Sequence, residues 1–197
     1  MNQPERALPR PAPRRGFQRR KIEFEGFLRQ DGNWDIEGRL LDTRQYDYLD
    51  YRDAPIRAGT PIHDMLVRLT IDDEKVVREA HAVIVSGPYE RCSDVEPQVR
   101  TLVGKRIGPG WREAVRKTLP ARGFCTHLSE LLVAMATAAY QTQSMGKAPD
   151  GVNPLTAMAL AGEKPYFIDK CHGWSTDGPI VREIFPRFSA TRSTEKE

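Results

Sequence analysis

The run Trp34-Asp35-Ile36-Glu37-Gly38-Arg39-Leu40-Leu41-Asp42 sets Trp34, Ile36, Gly38, Leu40 and Asp42 on one side of an extended chain. Side chains of a strand alternate between its two faces, so a period of two marks a half-buried strand. Residues 62–71 repeat the pattern, with His63, Met65, Val67, Leu69 and Ile71 sharing a face. Upstream, Ile22 and Phe24 alternate with charged residues, and Asp31-Gly32 supplies a hairpin turn. Downstream, Asp72-Asp73-Glu74-Lys75 forms a polar turn into a fourth strand, Val76–Val85. Strands joined mostly by short turns specify an antiparallel sheet.

The second half changes period. Ser93 with Glu96 three residues later predicts a capping box for a short helix through Val103. Trp111 to Leu119 predicts another, stopped by Pro120. The strongest helix covers 126–143, where Leu128, Leu131, Leu132, Met135, Ala138 and Ala139 give a wide apolar face. Asn153 and Pro154 read as N-cap and first turn of a further helix that Gly162 closes. Tyr166–Trp174, a Thr176-Asp177-Gly178 turn and Ile180–Phe188 then read as a closing hairpin. The expected fold class is α+β: an antiparallel sheet from the N-terminal strands plus a C-terminal hairpin, with helices packed on one face.

The 197 residues fit one domain, 22–188, followed by a flexible tail at 189–197. Apolar residues at 39% and charged residues at 29% suit a globular protein and exclude a fibrous one. No run reaches the ~18 apolar residues of a membrane helix, and no signal-peptide core opens the chain. Three cysteines, Cys92, Cys125 and Cys171, are too few and odd in number for a secreted disulfide framework. The expectation is a cytoplasmic protein without membrane contact.

Charge is uneven. Residues 1–21 hold Arg6, Arg10, Arg14, Arg15, Arg19, Arg20 and Lys21 against Glu5 alone, so the segment carries +6 and the rest of this +3 chain about −3. Pro4, Pro9, Pro11 and Pro13 deny it a helix, and it reads as an extended basic arm outside the core. Nucleic-acid binding is disfavoured, because no zinc finger, aromatic RNA-binding signature or basic helix accompanies the arm. The arm and the tyrosine-rich loop described next are compatible with a homodimer.

Two polar residues lie on apolar faces. Asp42 ends the face of the second strand and His63 begins that of the third. If those strands pair antiparallel, the two meet at the rim of the core. A carboxylate there can fix the imidazole tautomer and support a general base; equally, the pair can close the core edge structurally. The intervening excursion carries Arg44, Tyr46, Tyr48, Tyr51 and Arg52. Long connections often serve as lids, and tyrosines can stack on an aromatic ligand while their hydroxyls donate hydrogen bonds. A surface segment or subunit contact is the alternative.

Gly123-Phe124-Cys125-Thr126-His127-Leu128 places His127 in the first turn of the strong helix. The positive end of the helix dipole disfavours imidazolium, leaving a neutral ring able to accept a proton. Capping and packing are the competing roles for Cys125 and His127. Cys92, Cys125, His127, Cys171 and His172 lack zinc-finger spacing, so no metal is expected. Cys171 and His172 are adjacent on a predicted strand and point to opposite faces. No glycine-rich phosphate loop or dinucleotide fingerprint occurs.

Several segments in order resemble the bacterial family DUF2889. They are Phe24-Glu25-Gly26 to Asp31-Gly32, Trp34 to Thr43, Ile62 to Asp72, Pro88 with Cys92, Leu102-Val103-Gly104, Cys125-Thr126-His127-Leu128, and Asp169-x-Cys171-His172-x-Trp174. The resemblance spans residues 20–188. It implies activity like that of similar proteins that cleave lignin-derived aromatic dimers, as cofactor-free lyases of phenylcoumaran-type compounds. The expected function is therefore acid–base elimination of formaldehyde or carbon dioxide from a small phenolic substrate to give a stilbene. His63 and His127 are the acid–base candidates, with Asp42 orienting His63 and Tyr51 as a further catalytic candidate. Arg44, Tyr46, Tyr48, Arg68, Cys125 and Thr126 are the substrate-binding candidates. The alternative is a noncatalytic binding or scaffold protein, metal or iron–sulfur related.

Overall fold

The computed structural model describes residues 8–146 and 151–190. Residues 1–7 of the expected arm and 191–197 of the expected tail lie outside these described residues. The chain divides into two compact units, Met1–Ala139 and Tyr140–Glu197.

The first unit is built on an antiparallel sheet of β1 (Gln18–Leu28), β2 (Trp34–Arg44), β5 (Pro61–Ile71) and β6 (Val77–Ser86), in the order β1-β2-β5-β6. Between β2 and β5 the excursion folds back on itself as a two-stranded ribbon, β3 (Tyr48–Leu49) with β4 (Pro55–Ile56). The alternation read from the sequence is realised. Trp34, Ile36, Leu40, Met65, Val67, Leu69 and Ile71 are all buried, and the charged positions between them line the opposite face. The expected arm ends earlier than residue 21, because β1 takes up Gln18 to Lys21 and pairs them with Arg44 to Leu41.

Helices α1 (Trp111–Thr118) and α2 (Thr126–Gly146) supply the cover. Leu128, Leu131, Leu132 and Met135 are fully buried, the stripe that the 3.6-residue period requires. Trp111 donates its indole N–H to the Leu132 carbonyl at 2.8 Å, tying α1 to α2. Gly38 lets α2 come close to the sheet: a Cβ there would stand 3.2 Å from both Leu131 Cδ1 and Phe24 Cε1. The α+β class holds.

Two local expectations are corrected. The helix after β6 is a 3₁₀ segment, Glu90–Leu102, entered from Tyr89 without a side-chain cap. Glu96 does not close a capping box; it accepts the backbone N–H of Ile84 on the β6 edge at 2.7 Å. An unpaired strand N–H competes for the carboxylate and wins it, while Pro97 lacks the N–H that a regular α-turn would use.

The C-terminal hairpin is the second correction. In the second unit α3 (Pro154–Ala161) follows the predicted caps, with Asn153 Oδ1 accepting the Leu155 N–H at 2.9 Å and Gly162 at φ 77°. Residues 166–176 instead form turns around Asp169, whose carboxylate accepts from the Thr176 N–H at 2.9 Å and pairs with Lys164. Pro179–Ile184 is a short helix, α4. Ile180, Val181, Ile184 and Phe185 recur at helical as well as strand spacing, and proline at the first helical turn tips the balance. Phe167, Ile168, Val181 and Phe185 are buried together as a small core. Cys171 and His172 are thus exposed turn residues, not strand neighbours.

Candidate functional site

Asp42 and His63 stand opposite each other in the β2–β5 ladder, immediately before a bulge between Asp42 and Thr43. The bulge ends the regular register, so the two side chains close the apolar face at the point where the chain leaves for the 44–60 excursion. Asp42 is only 1% exposed and His63 16%. Their separation, His63 Nδ1 to Asp42 Oδ2, is 3.0 Å.

β1 adds the residue that sequence reading missed. Arg20 lies opposite Asp42 in the β1–β2 register and grips it in a two-pronged bond, Nε to Oδ1 and Nη2 to Oδ2, each 2.8 Å. Its Nη1 reaches Glu130 on α2 at 2.9 Å. Arg20 therefore ties the helix start to the sheet end. A signal existed: Arg20, Ile22 and Phe24 follow the same alternation, and carrying it two residues upstream puts Arg20 on the core face.

α2 brings the second imidazole. His127 lies one turn before Leu131 on the same helix face, and Leu131 rests on Gly38, so the ring projects toward the Asp42 end of the sheet. Its centroid is 3.9 Å from that of His63, with the rings inclined at 38°. Cys125 Sγ lies 3.9 Å from His127 Nδ1 and the same distance from Met65 Sδ.

The protonation states follow from these contacts. The Arg20 guanidinium, with help from His63, holds the Asp42 carboxyl below the usual carboxylate range despite burial. An ionised carboxylate only accepts, so His63 Nδ1 carries the proton and donates it to Asp42. In the neutral tautomer that this bond selects, the lone pair of His63 is on Nε2. Burial lowers the affinity of His127 for a proton, and the neighbouring His63 and Arg20 lower it further. A neutral His127 matches the sequence expectation, but desolvation is the main cause.

The other candidates are placed differently. Cys125 and Thr126 immediately precede His127, the former half-buried and the latter exposed. Tyr46 and Tyr48 pack on each other at 6.2 Å, with Arg44 over the Tyr48 ring at 4.1 Å and Phe17 against Tyr46 at 4.9 Å. Tyr51 is exposed and packs on Tyr89 at 5.3 Å, beneath Arg52. These tyrosines spend their faces on arginine and on one another rather than on the histidines. Arg68 is on the opposite face of the sheet by strand parity, bonded to Glu37 at 2.7 Å. It helps line an open groove of about 760 Å³ with Glu23, Arg39, His81 and Val83. That groove lies across the sheet from the two histidines.

One ligand atom each from Asp42, His63 and His127 lies within 4.8 Å of the others, a spacing a metal ion could use. The hydrogen bonds argue for a different use. Both Asp42 oxygens are engaged by Arg20 and one also by His63, and the two histidine rings pack on each other, inclined at 38°. What the arrangement can do is hold two imidazoles at one half-buried spot, His63 oriented by a fixed carboxylate and His127 with its proton affinity lowered by burial.

No helix among the described residues is long and apolar enough to cross a membrane. No curated protein and no solved structure matches the chain. The family described as protein of unknown function DUF2889 matches residues 18–141, from the start of β1 into α2. The match takes in Arg20, Asp42, His63, Cys125 and His127, and leaves the Asp169–Trp174 segment outside. With well over half its length matched, the chain belongs to the DUF2889 family.

Proposed function

We propose that the protein is a cofactor-independent carbon–carbon lyase for a small phenolic substrate of the phenylcoumaran type. The observation that carries this reading is the pairing of His63, oriented by the Arg20–Asp42 bond, with a neutral His127 at stacking distance. Two imidazoles so placed can each take a proton and return it within a single binding event.

The redox-neutral balance of the reaction needs no more than that. One imidazole removes the phenol proton; the electron pair flows through the ring and breaks the dihydrofuran C–O bond. The departing phenolate oxygen takes that proton from the imidazolium so formed. The first product is then a quinone methide. The second, neutral imidazole removes the side-chain hydroxyl proton; this breaks the carbon–carbon bond, releases formaldehyde and returns the electron pair to the ring, whose oxygen takes the proton as the stilbene forms. A carboxylated substrate would lose carbon dioxide in the same step. The excursion that starts two residues after Asp42, with Arg44, Tyr46 and Tyr48, is well rooted to cover such a ligand.

The test is turnover of phenylcoumaran alcohol and acid dimers with chelator present, followed by stilbene absorbance. Absorbance growing in proportion to protein supports the lyase; a flat trace for both compounds with folded protein removes it. The second reading, a metal-binding scaffold, is favoured by the 4.8 Å cluster of Asp42, His63 and His127. It predicts a stoichiometric divalent metal, measured by elemental analysis, that His63→Ala abolishes.

A further inference from the structure

The two edges of the main sheet are finished differently. Along β6, the 3₁₀ helix packs against the strand and Glu96 accepts the Ile84 N–H. β1 pairs over eleven residues with β2 on one side, and its residues are exposed throughout except the half-buried Phe24. An edge of this length without proline or bulge is a template for another strand.

The side chains along it are ordered by charge. On the face away from the helices stand Arg19, Lys21, Glu23 and Glu25, basic at one end and acidic at the other. On the helix-covered face stand Arg20, Ile22 and Phe24, with Ile22 41% exposed although the neighbouring core residues are buried. A strand whose charge reverses about its own midpoint is complementary to itself turned around.

We propose that β1 pairs antiparallel with β1 of a second copy of this chain, about a two-fold axis at Ile22, joining two sheets into one of eight strands. In that register Arg19 faces Glu25 and Lys21 faces Glu23, each twice, and the two Ile22 side chains meet at the axis. Keeping the helices of both copies on the same face permits shifts only in steps of one residue of the axis. Moving the axis to Lys21 sets two lysines opposite, and moving it to Glu23 sets two glutamates opposite; like charges directly opposite are destabilising. Charge therefore selects the Ile22 register against its neighbours. It also sets Phe24 of each copy opposite Arg20, the residue that holds Asp42, so the interface braces one side of the histidine site.

The mass of the full-length chain in solution, by light scattering and sedimentation, tests this. A dimer is expected for the native chain, weakened by salt as the exposed charges are screened. Lys21→Glu and Glu23→Lys each set like charges opposite and are expected to raise the dimer dissociation constant about tenfold or more. The double variant restores the pairing and the dimer. An equimolar mixture of the two single variants restores it as well, because each then meets the opposite charge pattern. Ile22→Cys gives an intermolecular disulfide under mild oxidation, since directly opposite Cβ atoms are only ~5 Å apart. A monomeric native chain at high concentration, or a dimer indifferent to both single reversals, overturns the proposal.

Discussion

Asp42 and His63 face each other across the β2–β5 ladder at the last regular pair before the bulge, with His63 Nδ1 3.0 Å from the Asp42 carboxylate. Because the carboxylate is also gripped from β1 by Arg20, three strands converge on one oxygen pair. The imidazole is thereby fixed in orientation and tautomer, and its Nε2 is the atom left for chemistry.

His63→Ala and His127→Ala are each expected to lower turnover of the phenolic substrate by about 10²–10⁴-fold, the usual contribution of a positioned acid or base. Circular dichroism should stay native, since both rings lie at the rim of the core. Unchanged rates in both variants would remove the proposed mechanism.

Arg20→Ala leaves a buried carboxylate with His63 as its remaining side-chain partner. A fully buried pair broken in this way costs several kcal/mol, but the Arg20 side chain is 33% exposed, so a loss of about 1–2 kcal/mol in urea unfolding is expected. Arg20→Lys should recover only part of it, because an ammonium cannot make the two-pronged bond. The acid limb should move as well. Arg20 holds the folded Asp42 pKa down, so the stability it gives is present above the ordinary carboxylate range near ~3.9 and lost as pH falls through the folded value. Without Arg20 the loss should begin at higher pH.

His127 predicts a separate pH effect. Its folded pKa lies below the ordinary imidazole value of about 6.5, so the unfolded chain takes up the proton first. Stability is unaffected above that value and falls as pH drops below it. Urea unfolding at pH 8 and pH 5 should show a smaller difference between the two conditions in His127→Gln than in the native chain. An identical difference in both would show that His127 does not contribute.

Gly38→Ala places a methyl 3.2 Å from Leu131 and Phe24, tighter than a relaxed contact. A loss of about 1 kcal/mol is expected, and a larger one for Gly38→Val, because the extra volume pushes α2 from the sheet. Activity should fall with the larger substitution, since the same helix carries His127. Thermal unfolding and turnover measured on both variants check the pair of effects.

Asn153→Ala removes the acceptor that caps the Leu155 N–H of α3. The expected cost is about 1 kcal/mol. Turnover should be unchanged, which makes this variant a stability control for the histidine substitutions.

Period and punctuation alone determined the four long strands, their hairpin turns, α1, α2 and the caps of α3. In each, local geometry and burial ask for the same residue: alternation forces Trp34, Ile36 and Leu40 to one side, and Gly162 suits a helix end at positive φ. The opposition of Asp42 and His63 was also legible, because antiparallel pairing brings the end of one strand to the start of the next. Tertiary structure decided the rest. Residues 166–188 carry apolar spacing that serves strand or helix, and packing of Phe167, Val181 and Phe185 into one cluster selects turns and α4. Glu96 has the spacing of a helix cap but answers a strand N–H that only the folded edge presents. Arg20 sits in a stretch whose prolines and charge read as a tail, and only the β1–β2 register sets it on Asp42. The meeting of His127 with His63 likewise depends on α2 crossing at Gly38, a contact between residues 93 positions apart that no local pattern encodes.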